Sequence, residues 1–126
     1  MKYLGIAYEE EQKLNELSEA EWQALRQETL CYVETLRKNG RLIATQALQS
    51  ATTGSTVRIR DGRLSVTDGP FAETKEQIGG FFLFEASDLQ EAIGIAAKWP
   101  SARIGSIEVR PIEEDLRMDR RYGESR

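Results

Sequence analysis

The sequence predicts a single α+β domain in which strands outnumber helices, and three observations carry that prediction. Two segments show helical apolar spacing behind an N-terminal cap, Ser18 with Glu21 and Asp88 with Glu91. Short apolar runs of strand character flank them, at Leu4, Ile6 and Tyr8 and again from Phe81 to Phe84. Between the helices, TVRIRDGRLSVT centres on Asp61-Gly62, the preferred pair for a two-residue type I′ hairpin turn.

In chain order, Lys2 to Tyr8 is the first expected strand. Leu4, Ile6 and Tyr8 alternate with Tyr3, Gly5 and Ala7, so both faces are apolar or small and both should be covered. Glu9 to Asn15 is expected as a polar connection with Glu9, Glu10 and Glu11 in solvent. Ser18 then opens a helix. Its core stripe is Trp22, Leu25, Thr29, Val33 and Leu36, and Lys38, Asn39 and Gly40 form a cationic, glycine-terminated exit. Arg41 to Leu48 is a second strand and SATTGS a loop.

The hairpin turn sets a register of Ile59 opposite Leu64, Val57 opposite Val66, Arg60 opposite Arg63 and Arg58 opposite Ser65, which sorts an apolar from a basic face. The segment TDGPFAETKE follows. Gly79-Gly80 signals a bulge or a close backbone approach before the strand FFLF. A second helix begins at Asp88, with Leu89, Ala92, Ile93, Ala96 and Ala97 as its expected packing face, and Pro100 ends it. Ile104 to Ile112 is the last strand, with Ile107 and Val109 on one face and Ser106, Glu108 and Arg110 on the other. Residues 1–112 thus form the domain, and residues 113–126 a charged C-terminal tail that is frayed or only transiently helical.

Without the hairpin this order is β-α-β-β-α-β, the ferredoxin-like pattern. Two helices cover one face of such a sheet. The other is covered either by a partner subunit, giving a homodimer, or by the hairpin folding back over its own sheet.

Composition excludes several function classes. The chain has 126 residues, a net charge of -4, one cysteine and no histidine. That size suits one core. The charge gives no broad attraction to nucleic acid, and no apolar run reaches the length needed to span a membrane or serve as a secretory signal, so a cytoplasmic address is expected. Cys31 cannot form an internal disulfide and lies opposite the apolar stripe of its helix. Without imidazole, Ser-His-Asp, Cys-His and His-metal chemistry are absent, and any acid-base work falls to carboxylates, Lys, Tyr or a cofactor or substrate itself. No metal site and no cofactor are expected.

DGPFAETKEQIGGFFLFEA, together with MKYLGIAY, GRLIATQAL, TVRIRDGRLSVT and IEVRPI, resembles the DGPF-motif branch of the YCII-related proteins. The resemblance implies a dimeric α+β barrel and, for this branch, an unassigned activity, with some members associated with sigma factors of the extracytoplasmic-function type. The His-Asp pair proposed as catalytic elsewhere in the family has no counterpart here. What carries over is the motif, Asp68, Gly69, Pro70, Phe71, Ala72 and Glu73, with the following Thr74, Lys75 and Glu76.

Two readings of the motif stay open. As a turn, Asp68 accepts hydrogen bonds from the backbone after it, Gly69 supplies positive φ, Pro70 fixes its own φ, and Phe71 plugs into the core or a dimer seam. As a site, Asp68 and Glu73 are candidate catalytic carboxylates, and Tyr8, Asp68, Gly69, Pro70, Phe71 and Arg110 candidate ligand-binding residues in a cleft between two sheets. The expected function is a homodimer that binds a small organic molecule, with carboxylate catalysis as one option. A regulatory module for a sigma factor is the alternative.

Overall fold

A computed structural model describes residues 1–118 of the chain. The expected frayed tail therefore falls largely outside the described residues, and of it only a 3-10 turn at Leu116–Met118 is seen.

Strands β1 (Lys2–Glu9), β2 (Leu42–Ala47), β5 (Gln77–Glu85) and β6 (Ser106–Pro111) form one sheet in the order β2-β5-β1-β6, with every neighbouring pair antiparallel. Strands β3 (Ser55–Arg60) and β4 (Arg63–Asp68) form a separate two-stranded sheet. Helices α2 (Glu19–Lys38) and α3 (Leu89–Ala97) pack on one face of the larger sheet, an α+β arrangement consistent with the ferredoxin-like pattern.

Local chemistry explains the helix starts. Ser18 Oγ accepts from the Glu21 backbone N–H at 3.1 Å while the Glu21 carboxylate accepts from the Ser18 N–H at 2.9 Å, the full reciprocal capping box. Asp88 caps α3 by accepting from the Glu91 N–H at 2.9 Å. The hairpin keeps the register its turn dictates, with Asp61 at φ 52 and Gly62 at φ 73.

The helix-covered sheet face carries Tyr3, Gly5 and Ala7 of β1 beside Phe84, Phe82 and Gly80 of β5. Phe82 and Phe84 are fully buried, and the Phe82 ring stacks on Trp99 at 4.0 Å between centroids, 7° from parallel. Gly5 is required beneath that ring, because a Cβ there would occupy the ring's own position. Two side-chain bridges lock α2 to the far end of the chain. Tyr32 donates its hydroxyl to the Ile95 carbonyl at 2.7 Å, and Arg103 donates two 2.7 Å hydrogen bonds to Glu28.

Several expectations need correction. The polar connection contains a short helix, α1 (Glu11–Asn15), because the Glu11 carboxylate accepts from Ser50 Oγ and the Ala51 N–H and so pins the segment against the chain after β2. Glu9 belongs to β1 and is half-buried rather than solvated. The SATTGS loop contains a 3-10 turn at Ala51–Thr53, and another, Pro100–Arg103, precedes β6. Trp22 is 43% exposed, not core; only Val33 and Leu36 of α2 are buried. Helix α3 buries Ala92 and Ala96 while Leu89 and Ile93 are exposed, because its alanine side lets it sit close on the sheet. The hairpin does not cover its own sheet: Val57, Ile59, Leu64 and Val66 are all exposed. Among the described residues no helix is long and apolar enough to cross a membrane.

Candidate functional site

The layer between α2 and the sheet is filled at one end and hollow at the other. Register pairing aligns Ala7 with Gly80 and Gly80 with Ala47, so three small residues cross β1, β5 and β2 in one row. The row lacks the volume to meet α2, and a cleft of about 440 Å³ remains above it. Leu14, Trp22, Leu25 and Val33 supply apolar wall, and Trp99 bounds the cleft next to the packed aromatic end. Gly80 cannot carry a side chain: its Cβ would lie 2.8 Å from the Gln46 carbonyl oxygen of the adjacent strand. The β1 and β5 register also skips Gly79, which is the bulge that the two glycines signalled.

Arg26, Thr29, Arg37, Thr45 and Gln46 also line this space, and two further polar residues stand out by their burial. Glu9, at the end of β1, lines both the cleft and a neighbouring hollow of about 430 Å³, where Leu14, Trp22 and Gly79 also contribute. Its carboxyl packs so tightly on Gly79 that a Cβ there would collide with it. Burial raises the Glu9 pKa above the usual carboxylate range, and the nearby negative charge of Glu11 adds to the effect. Ser101, in the turn after α3, is the second group. It is only 7% exposed, and its hydroxyl has no hydrogen-bond partner among the described residues.

The residues singled out from sequence lie elsewhere. Asp68, the last residue of β4, pairs in register with Ser55; it is exposed, and its carboxylate has no partner among the described residues. The turn-capping role expected for it is therefore not filled by its side chain. The main chain and the Thr56 side chain close that corner instead: the Gly69 N–H donates to the Gly54 carbonyl at 2.7 Å and Thr56 Oγ1 donates to the Gly69 carbonyl at 3.0 Å. Gly69 does adopt positive φ, at 98°. Phe71 is 79% exposed and plugs no part of the core, Pro70 is half-buried, and Glu73 is exposed. Gln77 holds the loop from below by donating its amide to the carbonyls of Ala72 and Thr74. Lys75 reaches Glu10 at 3.6 Å, which Lys13 approaches from the other side at 3.4 Å.

Tyr8 and Arg110 do come together, on the sheet face that the helices leave open. The Tyr8 hydroxyl donates to Glu108 at 3.2 Å and Arg110 donates to the other oxygen of the same carboxylate. The guanidinium hydrogen bond holds the Glu108 carboxyl below its ordinary pKa, while burial and then Glu108 push the Tyr8 phenol up. Glu108, the bridge, was visible as a member of the polar face of β6. Glu9 and Ser101 were missed. A carboxylate beginning an EEE run reads as solvated, and a serine after Pro100 reads as turn chemistry. Among the described residues no group of three or more acidic or cysteine side chains is placed to hold a metal ion.

A family profile described as YCII-related domain matches residues 1–115. An uncharacterized protein of Rhizobium meliloti (strain 1021) is 33% identical over 114 residues, a match that covers 89% of this chain and 92% of that protein.

Proposed function

The chain belongs to the YCII-related domain family, and from that premise we propose that it binds a small, largely apolar organic molecule in the cleft beneath α2. The observation that carries this reading is the Ala7, Gly80 and Ala47 row, which holds open apolar space beside a partly buried carboxyl. Glu9 keeps its proton to higher pH than a solvated glutamate. It is thus suited to give a proton to a bound molecule or, once ionised, to take one.

Thermal unfolding with naphthalene as probe tests the reading, because a ligand that binds only the folded state raises Tm. The expected result is a rise for the wild type that Ala47→Leu abolishes by filling the cleft. No rise in the wild type, or an equal rise in the variant, refutes it.

A second reading concerns assembly and the DGPF-motif branch. The protein acts as a cytoplasmic homodimer, a dimeric α+β barrel in which the open sheet face meets that of another copy. Support comes from the half-buried Leu4, Ile6 and Leu83 on that face and from the exposed hairpin residues Val57, Ile59, Leu64 and Val66. Phe71 enters the seam. Asp68, Gly69, Pro70 and Glu73 with Tyr8 and Arg110 then border a cleft shared by two subunits. Sedimentation velocity is the check: a dimer is expected for the wild type and a monomer for Ile59→Asp, and a monomeric wild type excludes the barrel.

A further inference from the structure

We infer that Arg26 is a binding residue of the cleft, and that the molecule it receives is an amphipathic anion, an apolar body carrying one carboxylate. The inference rests on the proposed use of the cleft and goes further by naming the head group of the ligand and the residue that holds it.

The cleft has its mouth along one margin of α2. At about 100° per residue, Arg26, Leu30 and Arg37 fall together at one edge of the apolar stripe, on the same side of the buried Val33 and Leu36. All three line the cleft and are exposed, as are Gln46 and Ala47 of β2. Strand β2 is the end strand of its sheet, so the space opens to solvent between this margin of the helix and a sheet edge. The two arginines lie about 16 Å apart along the helix axis and differ in what is beside them. After Lys38 the chain turns back through Gly40 into β2, which puts Arg37 beside the packed half of the layer. Arg26 lies one turn from Trp22, which lines the hollow end together with Leu48, the residue after β2.

Charge then selects the head group. The positions three and four residues from Arg26 hold Trp22, Gln23, Thr29 and Leu30, so no carboxylate lies within one turn of it. Among the described residues its guanidinium forms no ion pair, whereas Arg41 and Arg103 are held by Glu91 and Glu28. An arginine that is both exposed and part of a cleft wall lays its methylene stem along apolar surface and keeps its charged head in water. That head is a planar fork of N–H donors matched to a carboxylate, and charge-assisted bonds of this kind are about twice as strong as neutral ones. Glu9 is the acidic residue that lines the cleft, and it stands on β1, two strands in from the β2 edge. When ionised it repels an anionic head, while Arg26 and the second positive charge of Arg37 attract it to the mouth. The apolar body thus enters first, under α2 and over the row of small residues.

The test titrates the full-length protein at pH 7 with 2-naphthoate and 2-naphthamide, which match in shape and differ in charge, and with naphthalene as the apolar reference. At low salt the wild type is expected to bind the carboxylate about fivefold more tightly than the amide, the scale of a solvent-exposed ion pair. The preference should shrink in about 0.5 M sodium chloride. Arg26→Gln should bind both equally and keep its affinity for naphthalene; glutamine suits an exposed helix position nearly as well as arginine, so the fold is retained. Arg26→Lys, which keeps the charge without the fork, should retain part of the preference. Lys38→Gln removes the same charge from the same helix outside the cleft and should change nothing. Equal affinity of the wild type for carboxylate and amide, with naphthalene bound, overturns the inference and leaves the cleft reading standing. So does a preference that survives in Arg26→Gln, that falls as far in Lys38→Gln, or that falls further in Arg37→Gln. Failure of naphthalene to bind overturns the cleft reading and the inference together.

Discussion

Trp99 and Trp22 border the same cleft, yet one is 7% and the other 43% exposed. The difference lies in what is packed against them. Trp99 stacks on Phe82, whose ring in turn occupies the space over Gly5, and Tyr32 meets its edge at 71°. At the Trp22 end the sheet offers only Ala7, Gly80 and Ala47, so the indole has no side chain of comparable size beneath it. A bulky apolar residue on a helix face becomes core only when the facing strand supplies matching volume. The two ends of one helix-sheet layer thus do different work: one holds the fold together and the other stays open.

The largest expected effect breaks this contrast directly. Trp99→Ala should cost about 3 to 5 kcal/mol in urea unfolding, as large-to-small changes in cores do, whereas Trp22→Ala should cost about 1 kcal/mol or less. Equal losses would mean that the Trp22 end is as tightly packed as the other. Binding should respond in the opposite order: naphthalene affinity falls in Trp22→Ala although stability hardly changes.

The next effect sharpens the contrast at the start of α2. The buried residues of this helix, Val33 and Leu36, both lie in its second half, so the end above the hollow is held by its capping box. Ser18→Ala should therefore cost about 1 kcal/mol, and hydrogen exchange should quicken over the first turns of α2 while its second half stays protected. Uniform loss of protection along the helix would argue against separate ends.

The smallest effect is one of pH. Glu9 has a raised pKa in the folded state, so the stability it confers is complete below the ordinary carboxylate range and is lost as pH rises through the folded value. Glu9→Gln should accordingly raise Tm at pH 7 and leave it unchanged near pH 4. A variant less stable than wild type at pH 7 would show that the ionised carboxylate has a favourable partner.

Much of the fold was legible without coordinates. The caps at Ser18 and Asp88 and the hairpin at Asp61-Gly62 are read correctly because each depends on hydrogen bonds or φ values within a few residues. Strand faces were legible too: Ile107 and Val109 pack with the core while Glu108 and Arg110 meet Tyr8 on the open side. The errors have a common source. Trp22, Leu89 and Ile93 fit a helical stripe as well as the buried residues do, and periodicity records which side of a helix a residue occupies without recording what stands opposite. Asp68 and Glu73 lie close together in the motif and are both exposed within one subunit, because nearness along the chain does not record what packs against a side chain.

By itself the sequence determined the order of elements, their ends, the hairpin register and the family, since these rest on local sterics, capping and a long motif. Only tertiary structure decided where the hollow lies. Ala7, Ala47 and Gly80 are small for no local reason, and they become one row only when three strands far apart in the chain pair in register. The same pairing leaves Glu9 half-buried against Gly79 and places Ser101 on the cleft wall with its hydroxyl unmet, because burial is a property of neighbours that the chain acquires on folding.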